Sequence, residues 1–405
     1  MTPSDGENIT RQIFRYHEES KHHYDRYARS AGHLDWDNQP NPFRFYEATK
    51  AFGLPFLKND PAALYVDLYR RDNHPGRGFT IENIAGFLEL SLGLSAWKAA
   101  GESRWSLRMN PSSGNLHPTE AHLILPRIDG LAGGVYHYNP LLHALEQRAD
   151  VSETTWRKIP AHFGCQGFLI GLSSIFWRES WKYGERAFRY CNHDVGHALA
   201  AISFSASLFS WKVSYLSGLS DQDMQAVLGL NKVRFAPLEE EHPDLLCFVH
   251  PNQFLEISRK FSDAIISDFK NISFRGHPNR LSHQPVNWEI IYKTAHLTRK
   301  PPTDKHRYEL TTQYGLREDP CRLAAAQIIR QLFWESGMIG QVLYLAAEAQ
   351  GVRGTGIGCF FDDAVHEILG LADNEYQSLY HFTIGKPVED PRLTTYPPYH
   401  HLESR

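Results

Sequence analysis

Residues 104–120 read RWSLRMNPSSGNLHPTE and combine two arginines with a turn rich in proline, serine, glycine and asparagine. The turn at residues 111–115 offers hydroxyls, an amide and backbone N–H groups, and Gly114 lets a flat ring approach the backbone. Arg104 and Arg108 add cationic donors suited to a phosphate or an electron-rich ring edge. An ordinary serine turn that caps a helix contains the same residue types. This stretch alone therefore leaves a binding turn and a structural turn open.

Strand and helix patterns follow this turn without a regular alternation. The apolar run at residues 121–126 predicts a buried strand, and residues 168–176 predict another. A hairpin is predicted for residues 135–138 and 144–146. Residues 190–209 predict a long helix with small residues on one face. The mixture predicts an α+β fold.

Other segments carry weaker patterns. The sequence predicts a helix over 88–95, a loop over 104–120, helices over 321–331, 337–350 and 365–371, and a strand over 380–384. The distribution of these patterns along the sequence divides the chain into four parts. We predict an N-terminal arm over residues 1–60, a first half over 61–257, a connecting region over 258–320 and a shortened second half over 321–405.

Composition restricts the class of protein. The 405 residues are 42% hydrophobic and 22% charged with a net charge of −4, which excludes wholesale disorder and a basic field that recruits nucleic acid. The longest apolar stretch, residues 198–211, is too short to span a bilayer, and the N-terminus has no apolar signal region. The five cysteines lack CxxC spacing, which fits a reducing cytoplasm. We therefore expect a cytoplasmic protein without a nucleic-acid or membrane partner.

One internal repeat has a constant spacing of 141 residues. It relates Gly196 to Gly337 and Asp221 to Asp362, and it relates the Leu-Gly-Leu sequence at 228–230 to that at 369–371. Sequence identity between the two copies is low, so chance similarity is the alternative. The ungapped succession of helix, acidic residue and helix end favours a duplication.

Four motifs occur in an order that resembles the nitroreductase superfamily, in particular its SagB-type thiazole/oxazole dehydrogenase branch. They are the segment 104–120, VYHYNP at 135–140, WKYGERAFRY at 181–190 and DVGH at 194–197. The resemblance covers residues 65–250 and, for the second copy, 335–390. It implies a nitroreductase-like α+β fold, a mixed sheet flanked by helices, that binds FMN. Here two copies are fused as a pseudo-dimer.

In this family the flavin lies between two subunits. The resemblance therefore implies that the flavin-binding residues of this chain come from both of its halves. The first half would supply Arg104, Arg108, Pro111, Ser112, Ser113 and Asn115, and the second Gly356, Ile357, Gly358, Cys359, Lys386 and Arg392. Lys386 would bind the FMN phosphate, with Arg392 assisting, although the phosphate arginine stays undecided and Arg330 is one candidate. The implied pseudo-dimer has one complete site per chain, and ordinary homodimerisation stays open.

Lys182 and Tyr183 are the candidate catalytic pair. In the SagB-type branch the matching Lys-Tyr abstracts a proton during azoline oxidation, and dehydrogenation onto a flavin requires a base for that proton. A lysine beside the flavin and near Arg186 would have a lowered pKa, and Tyr183 would relay or donate the proton. A surface lysine and a packed tyrosine are the alternative.

The function expected is FMN-dependent dehydrogenation or oxidation of a peptide-derived or heterocyclic small molecule. A catalytically degenerate partner subunit of a biosynthetic complex is the second hypothesis, because the second half is shortened. The third is a zinc hydrolase, since His193 and His197 flank Asp194 at metal-ligand spacing. Asp is shorter than the usual Glu of such sites and Gly196 weakens the helix, so we expect no metal and a structural role for both histidines.

Overall fold

The computed structural model describes residues 3–69, 76–128, 130–253, 257–301, 322–371 and 376–402, with only the backbone described for 3–7 and 322–327. Ten helices in these segments are α1 Pro3–Glu19, α2 Ile81–Ser91, α3 Glu153–Phe163, α4 Phe176–Tyr183, α5 Ala187–Leu208, α6 Asp221–Leu228, α7 Asp263–Asn271, α8 Glu289–Leu297, α9 Arg322–Ala349 and α10 Asp362–Leu369. The strands are β1 Tyr46–Glu47, β2 Ala51–Gly53, β3 Leu94–Ala100, β4 Ser103–Arg108, β5 Thr119–Leu125, β6 Gly134–Asn139, β7 Ala144–Asp150, β8 Phe168–Ser174, β9 Trp211–Tyr215, β10 His242–Pro251, β11 His277–Pro278, β12 Arg353–Ile357, β13 His381–Gly385 and β14 Thr394–Tyr396.

The largest sheet has seven antiparallel strands in the order β2-β7-β6-β5-β8-β10-β9. Its central strands are fully buried, and α2, α3, α5, α6 and α7 contribute apolar side chains to the same core. Strands buried on both faces read as continuous apolar runs, which is why β5 and β8 were recognisable in the sequence. The predicted α+β class and the hairpin of β6 and β7 are confirmed.

Two local predictions were wrong. Residues 104–108 are not loop but strand β4, which pairs with β3 from Leu94 to Ala100. Pairing with β3, across the turn at Gly101 and Glu102, satisfies the backbone groups of these residues. The second difference is α9, which is one helix instead of two, since Gly337 lies inside it without ending it.

The 141-residue repeat is also visible in the structure. Helices α6 and α10 keep that offset at both ends, and each ends at a left-handed glycine. Gly229 has φ 70° and ψ 21°, and Gly370 has φ 70° and ψ 26°. Helices α5 and α9 end 141 residues apart, at Leu208 and Ala349. The two copies therefore share local geometry as well as sequence order.

Reciprocal ion pairs connect the two copies. Asp221 at the start of α6 accepts from Arg330 of α9 at 2.8 Å. Asp362 at the start of α10 accepts from Arg189 of α5 at 3.0 Å and from Arg186 at 2.8 Å. Arg189 and Arg330 are themselves 141 residues apart, so each aspartate binds the arginine of the opposite copy. Such exchange of equivalent contacts is the pattern of a two-fold symmetric interface, here inside one chain.

The N-terminal segment is bound to both halves. Tyr16 of α1 donates to the Glu185 carbonyl at 2.9 Å, and the His22 backbone donates to Asp362 at 3.0 Å. Strand β1 pairs with β11, which lies in the predicted connecting region. These contacts place the described parts of the N-terminal arm and of the connecting region against the same core. Within the described residues, no helix combines the length and apolar character needed to cross a bilayer.

Candidate active-site cleft

A cleft of about 220 Å³ lies where the two halves meet. Seven residues predicted to bind a cofactor line it: Pro111, Ser112, Ser113, Gly356, Ile357, Gly358 and Cys359. The other lining residues are Gly114, Tyr183, Tyr190, Asp194, His197, Tyr344 and Tyr380. The structure therefore brings the serine turn of the first half and the glycine loop of the second half, which are more than 200 residues apart in sequence, to one site.

The serine turn has a fixed geometry. Gly114 has φ 59° and ψ 10°, a left-handed conformation that favours glycine. A Cβ at this position would lie 2.6 Å from the Tyr183 hydroxyl and 3.2 Å from Lys182 Cδ. Asn115 turns its amide away from the cleft and donates to the Ser106 carbonyl at 2.8 Å. The missing side chain at Gly114 therefore makes room for the candidate catalytic pair.

The candidate catalytic pair, Lys182 and Tyr183, lies at the end of helix α4. Tyr183 lines the cleft, and Lys182 Nζ lies 5.3 Å from the centre of the Tyr183 ring. The Tyr183 ring also packs edge-on against Tyr190, at 4.6 Å between centroids. Burial, with the nearby Glu179 charge, raises the pKa of Tyr183, so its hydroxyl is protonated throughout the ordinary pH range. Tyr183 is thus a proton donor at the wall of the cleft.

The second half closes the opposite wall. The Gly356 backbone donates to the Tyr344 hydroxyl at 2.8 Å, and the Tyr380 hydroxyl lies 3.1 Å from His197 Nε2. A Cβ at Gly356 would overlap the Tyr380 hydroxyl. Glycine is therefore required here so that Tyr380 can pack across the β12 strand.

Both histidines of the suspected zinc motif have other neighbours. The buried His193 ring stacks on Tyr380 at 4.6 Å, and His197 Nδ1 lies 3.2 Å from the Gln341 amide oxygen. Burial lowers the pKa of His197 to about 4, so it is neutral near pH 7. Among the described residues, no group of three His, Cys, Asp or Glu side chains is arranged to hold a metal ion.

Asp194 is a cleft residue that sequence reasoning did not select. Its carboxylate accepts from the Ser113 backbone at 3.1 Å and from the Ser113 hydroxyl at 3.2 Å. Burial raises its pKa to about 7, although these hydrogen bonds act in the opposite direction. Its position in DVGH, one of the four ordered motifs, was the available signal, although no role was assigned to the aspartate itself. The structure connects Asp194 to the serine turn instead.

Five cationic residues that were candidates for binding the cofactor are not among the residues that line the cleft. Arg104 is exposed and faces the Tyr396 ring, while the buried Arg108 donates to the Pro42 carbonyl at 2.6 Å. Arg392 pairs with Asp390 at 2.7 Å, and Lys386 is exposed after the end of β13. Arg330 is buried in its pair with Asp221. The cleft as described therefore has no arginine or lysine in its lining.

The cleft suits the flavin ring of an FMN molecule better than it suits the phosphate. Hydroxyls of Ser112 and Ser113, main chain at 356–359 and several tyrosine rings surround it, as a flat heteroaromatic ring requires. A phosphate requires a cation, which would have to come from outside the described lining, for instance from Lys386. The serine turn therefore suits the flavin ring, whereas Tyr380 and Tyr190 pack against Gly356 and Gly358, where the ring was expected to approach the main chain.

Comparisons with known proteins agree with this architecture. Residues 257–386 match the family model described as the Nitroreductase family. A protein of Methanocaldococcus jannaschii named as a nitroreductase is 24% identical over 132 residues, which is 32% of this chain and 65% of that protein. The chain thus spans just under two thirds of that relative. The family match lies over the predicted connecting region and second half, whereas the four sequence motifs lie in the first half.

One solved structure extends the comparison to the fold, and a second is similar over a smaller part of the chain. A nitroreductase from Anabaena variabilis superposes with a TM-score of 0.66 at 18% identity, covering 93% of this chain and 99% of that chain. The E. coli microcin synthetase McbBCD complex with truncated pro-MccB17 bound has a TM-score of 0.35 at 17% identity, covering 62% of this chain and 97% of that chain. Residues 257–386 therefore resemble the Nitroreductase family in sequence, and the chain has a nitroreductase-like fold.

Proposed function

We propose that the chain is an FMN-dependent oxidoreductase of SagB type that dehydrogenates a peptide-derived or heterocyclic small molecule. The observation that carries the proposal is the composite cleft, in which the turn at 111–114 faces the glycine loop at 356–359. The substrate class follows from the SagB-type resemblance of the WKYGERAFRY segment. Four described cysteines are free thiols, which supports a location in the reducing cytoplasm.

The flavin, when bound, supplies a hydride acceptor, and the chain supplies the rest. Ser112 and Ser113 offer hydroxyls to the ring edge, and the tyrosines of the cleft exclude water from its faces. Lys182 and Tyr183 stand beside Gly114, where Lys182 can take the proton that leaves the substrate as its hydride departs and the protonated Tyr183 can donate or relay a proton. The protein thus orients both reactants and handles the proton.

A catalytically degenerate partner subunit is the second candidate. The specific observation in its favour is that none of the described residues lining the cleft is Lys or Arg, so the phosphate lacks an evident anchor. Tyr380 and Tyr190 also pack against Gly356 and Gly358, the positions at which a flavin was expected to approach the main chain. A subunit of this kind would keep the fold without turnover.

Cofactor content separates these candidates and tests the composite site. We expect the full chain to purify with about one FMN per polypeptide, measured as flavin released on denaturation against protein concentration. Ser113→Ala should weaken binding from the first half, and Lys386→Ala from the second by about 1.5–3 kcal/mol if it contacts the phosphate. A ratio near two would exclude one composite site, and a protein that binds no FMN would favour the degenerate subunit.

A further inference from the structure

The cleft is small for a substrate derived from a peptide. Its volume of about 220 Å³ lies below the range of about 300–1,000 Å³ that is usual for sites enclosing a drug-sized ligand. A flavin ring between the serine turn and the glycine loop would occupy most of that space. A peptide substrate can therefore place little more than its reacting ring in the cleft, and the residues on either side of that ring must lie on the surrounding surface.

An exposed group of aromatic rings adjoins the cleft on the side of the N-terminal arm. Cys359 lines the cleft, and its Sγ lies 3.5 Å from His22 Nε2. The Tyr27 ring is 5.4 Å from the His22 ring, measured between centroids. The Phe361 ring lies 4.6 Å from Tyr24 and 5.7 Å from Tyr27. We call Tyr24, Tyr27 and Phe361 the rim patch.

Contacts on both sides of the two tyrosines hold the rim patch in place. Before them, the His22 N–H donates to the Asp362 carboxylate at 3.0 Å, and the Asp362 N–H donates to the His22 carbonyl at 3.2 Å. After them, the Arg29 side chain pairs with Glu185, whose N–H donates to the Arg29 carbonyl at 3.0 Å. A ligand that binds the tyrosines therefore has to order little additional chain.

The exposure of the tyrosines argues against a purely structural role. A side chain that fastens the arm to the second half is buried there, as Lys21 is where it pairs with Asp363 at 2.9 Å. Tyr24, in contrast, is 75% exposed and Tyr27 is 64% exposed. Isolated exposed aromatic residues are ordinary, but contacting rings beside a cleft are typical of a binding surface.

The cations of this segment are engaged within the chain. Lys21 and Arg29 each pair with a carboxylate, and Arg26 donates to two backbone carbonyls of α1. These three side chains are therefore not available to an acidic ligand. The ring faces of the rim patch suit apolar or aromatic side chains instead.

We propose that the rim patch binds apolar or aromatic residues that flank the reacting ring of a peptide substrate. Tyr24 and Tyr27 are specificity-determining residues, because they hold the peptide at the mouth of the cleft while its ring enters beside the serine turn. The substrate is thereby a peptide long enough to reach both places. The inference rests on the proposed oxidoreductase function for its ligand, but binding at the rim patch requires no turnover and is measured separately.

Equilibrium binding tests the rim patch directly. One fluorescently labelled probe is a synthetic peptide with a central thiazoline flanked by leucine and phenylalanine, and a second has serine and glycine in their place. Fluorescence anisotropy with the full chain should show tighter binding of the apolar peptide. Tyr24→Ala combined with Tyr27→Ala should weaken that binding on the order of 10-fold, because two ring contacts are lost, and should leave the serine–glycine peptide unchanged.

Tyr69→Ala is the matched control. Tyr69 is also an exposed tyrosine, and its ring contacts Tyr65 and Phe204, which are not among the residues that line the cleft. This variant should bind both peptides as the natural chain does. Denaturant midpoints of the natural chain, the double variant and the control should agree closely, because surface substitutions change stability little.

Flavin reduction separates this inference from the function on which it rests. Under anaerobic conditions the apolar peptide should reduce the flavin at a lower half-saturating concentration than a capped thiazoline without flanking residues. The double variant should raise that concentration for the peptide and leave the maximal rate and the capped thiazoline unchanged.

Two results would overturn the docking surface. They are binding of the apolar peptide to the double variant as tightly as to the natural chain, and equal binding of both peptides by the natural chain. If binding shows the expected loss while neither thiazoline probe reduces the flavin, the oxidoreductase proposal fails and the docking surface stands.

Discussion

Single residues decide the chemistry of the cleft because each sits where burial and a few donors control its protonation. Tyr183 is held protonated and Asp194 is held near the point of ionisation, within one wall of the same cleft. Groups of different proton affinity in one site are a common arrangement for acid–base catalysis. At these two positions the ionisable group of the side chain matters more than the volume that it fills.

The first prediction at this scale separates chemistry from cofactor binding. Lys182→Ala and Tyr183→Phe should both retain flavin, yet lose substrate-driven flavin reduction by about 10²–10⁴-fold, because a general acid–base is removed. Stopped-flow bleaching of the flavin under anaerobic conditions measures this. Reoxidation of chemically reduced flavin is the control and should be nearly unchanged. Reduction of Lys182→Ala at the normal rate would mean that the pair is structural.

The second prediction concerns His137, which lies between two carboxylates. It is 3.0 Å from Glu120 and 2.9 Å from Glu146. Burial lowers its pKa, but the hydrogen bonds to both carboxylates outweigh burial and raise the pKa to about 9. Because the folded-state pKa exceeds the unfolded value of about 6.5, the stabilisation is complete below pH 6.5 and is lost as pH rises through 9.

Urea unfolding at pH 7 and at pH 10 measures this loss. The free energy of unfolding should fall with rising pH more steeply in the natural chain than in His137→Gln, by on the order of 2–3 kcal/mol. His137→Gln should also be the less stable protein at pH 7. Equal slopes for the two proteins would show that His137 does not ionise as described.

At the scale of elements, the fold depends on the close crossing of α5 and α9. A Cβ at Gly196 would overlap the Trp334 carbonyl oxygen, and a Cβ at Gly337 would overlap the His193 carbonyl oxygen. The two glycines are equivalent in the repeat, so the helices cross at the symmetry point of the pseudo-dimer. The atoms that these Cβ atoms would overlap belong to the main chain, which cannot move aside by a rotamer change as a side chain can.

Gly196→Ala and Gly337→Ala should therefore destabilise the chain although alanine is the better helix former. Overpacking at such a contact costs about 1–3 kcal/mol, against a gain of about 1 kcal/mol in helix propensity. Gly385→Ala is the control, since nothing lies within 4 Å of its added Cβ. Denaturant midpoints measure the effect, and a more stable Gly196→Ala protein would contradict the crossing.

At the scale of the whole molecule, equivalent helices of the two copies differ in how far their apolar side chains are buried. Val227 and Leu228 at the end of α6 are fully buried, and Leu228 packs on Gly171 of β8. Their repeat counterparts Ile368 and Leu369 on α10 are 81% and 59% exposed. In the described residues the second half has three strands, β12, β13 and β14, whereas the first half has eight, β3 to β10. Equivalent apolar positions of the two copies therefore contribute unequally to the free energy of unfolding.

A matched pair of substitutions tests this difference. Leu228→Ala should cost about 2–5 kcal/mol, because it leaves a cavity in the core. Leu369→Ala should change stability by less than about 0.5 kcal/mol, as surface substitutions usually do. Urea unfolding of both variants measures the contrast. Similar losses in the two would mean that α10 is covered in solution.

The sequence by itself determined the α+β class, the buried strands, the hairpin of β6 and β7 and the 141-residue repeat. These are properties of local pattern, since apolar runs and turn residues carry the information within a few positions. It also predicted the serine turn and the glycine loop, which the structure places around one cleft. The assignment of Lys182, Tyr183 and the flavin contacts stays a prediction.

Tertiary structure alone decided what surrounds those residues. Helix α9 stays continuous because Gly337 meets α5 instead of solvent. Asp194 becomes a cleft residue only when the turn folds onto α5, where burial changes its proton affinity. Burial and ion pairing arise from contacts between distant segments, and local residue order does not encode them.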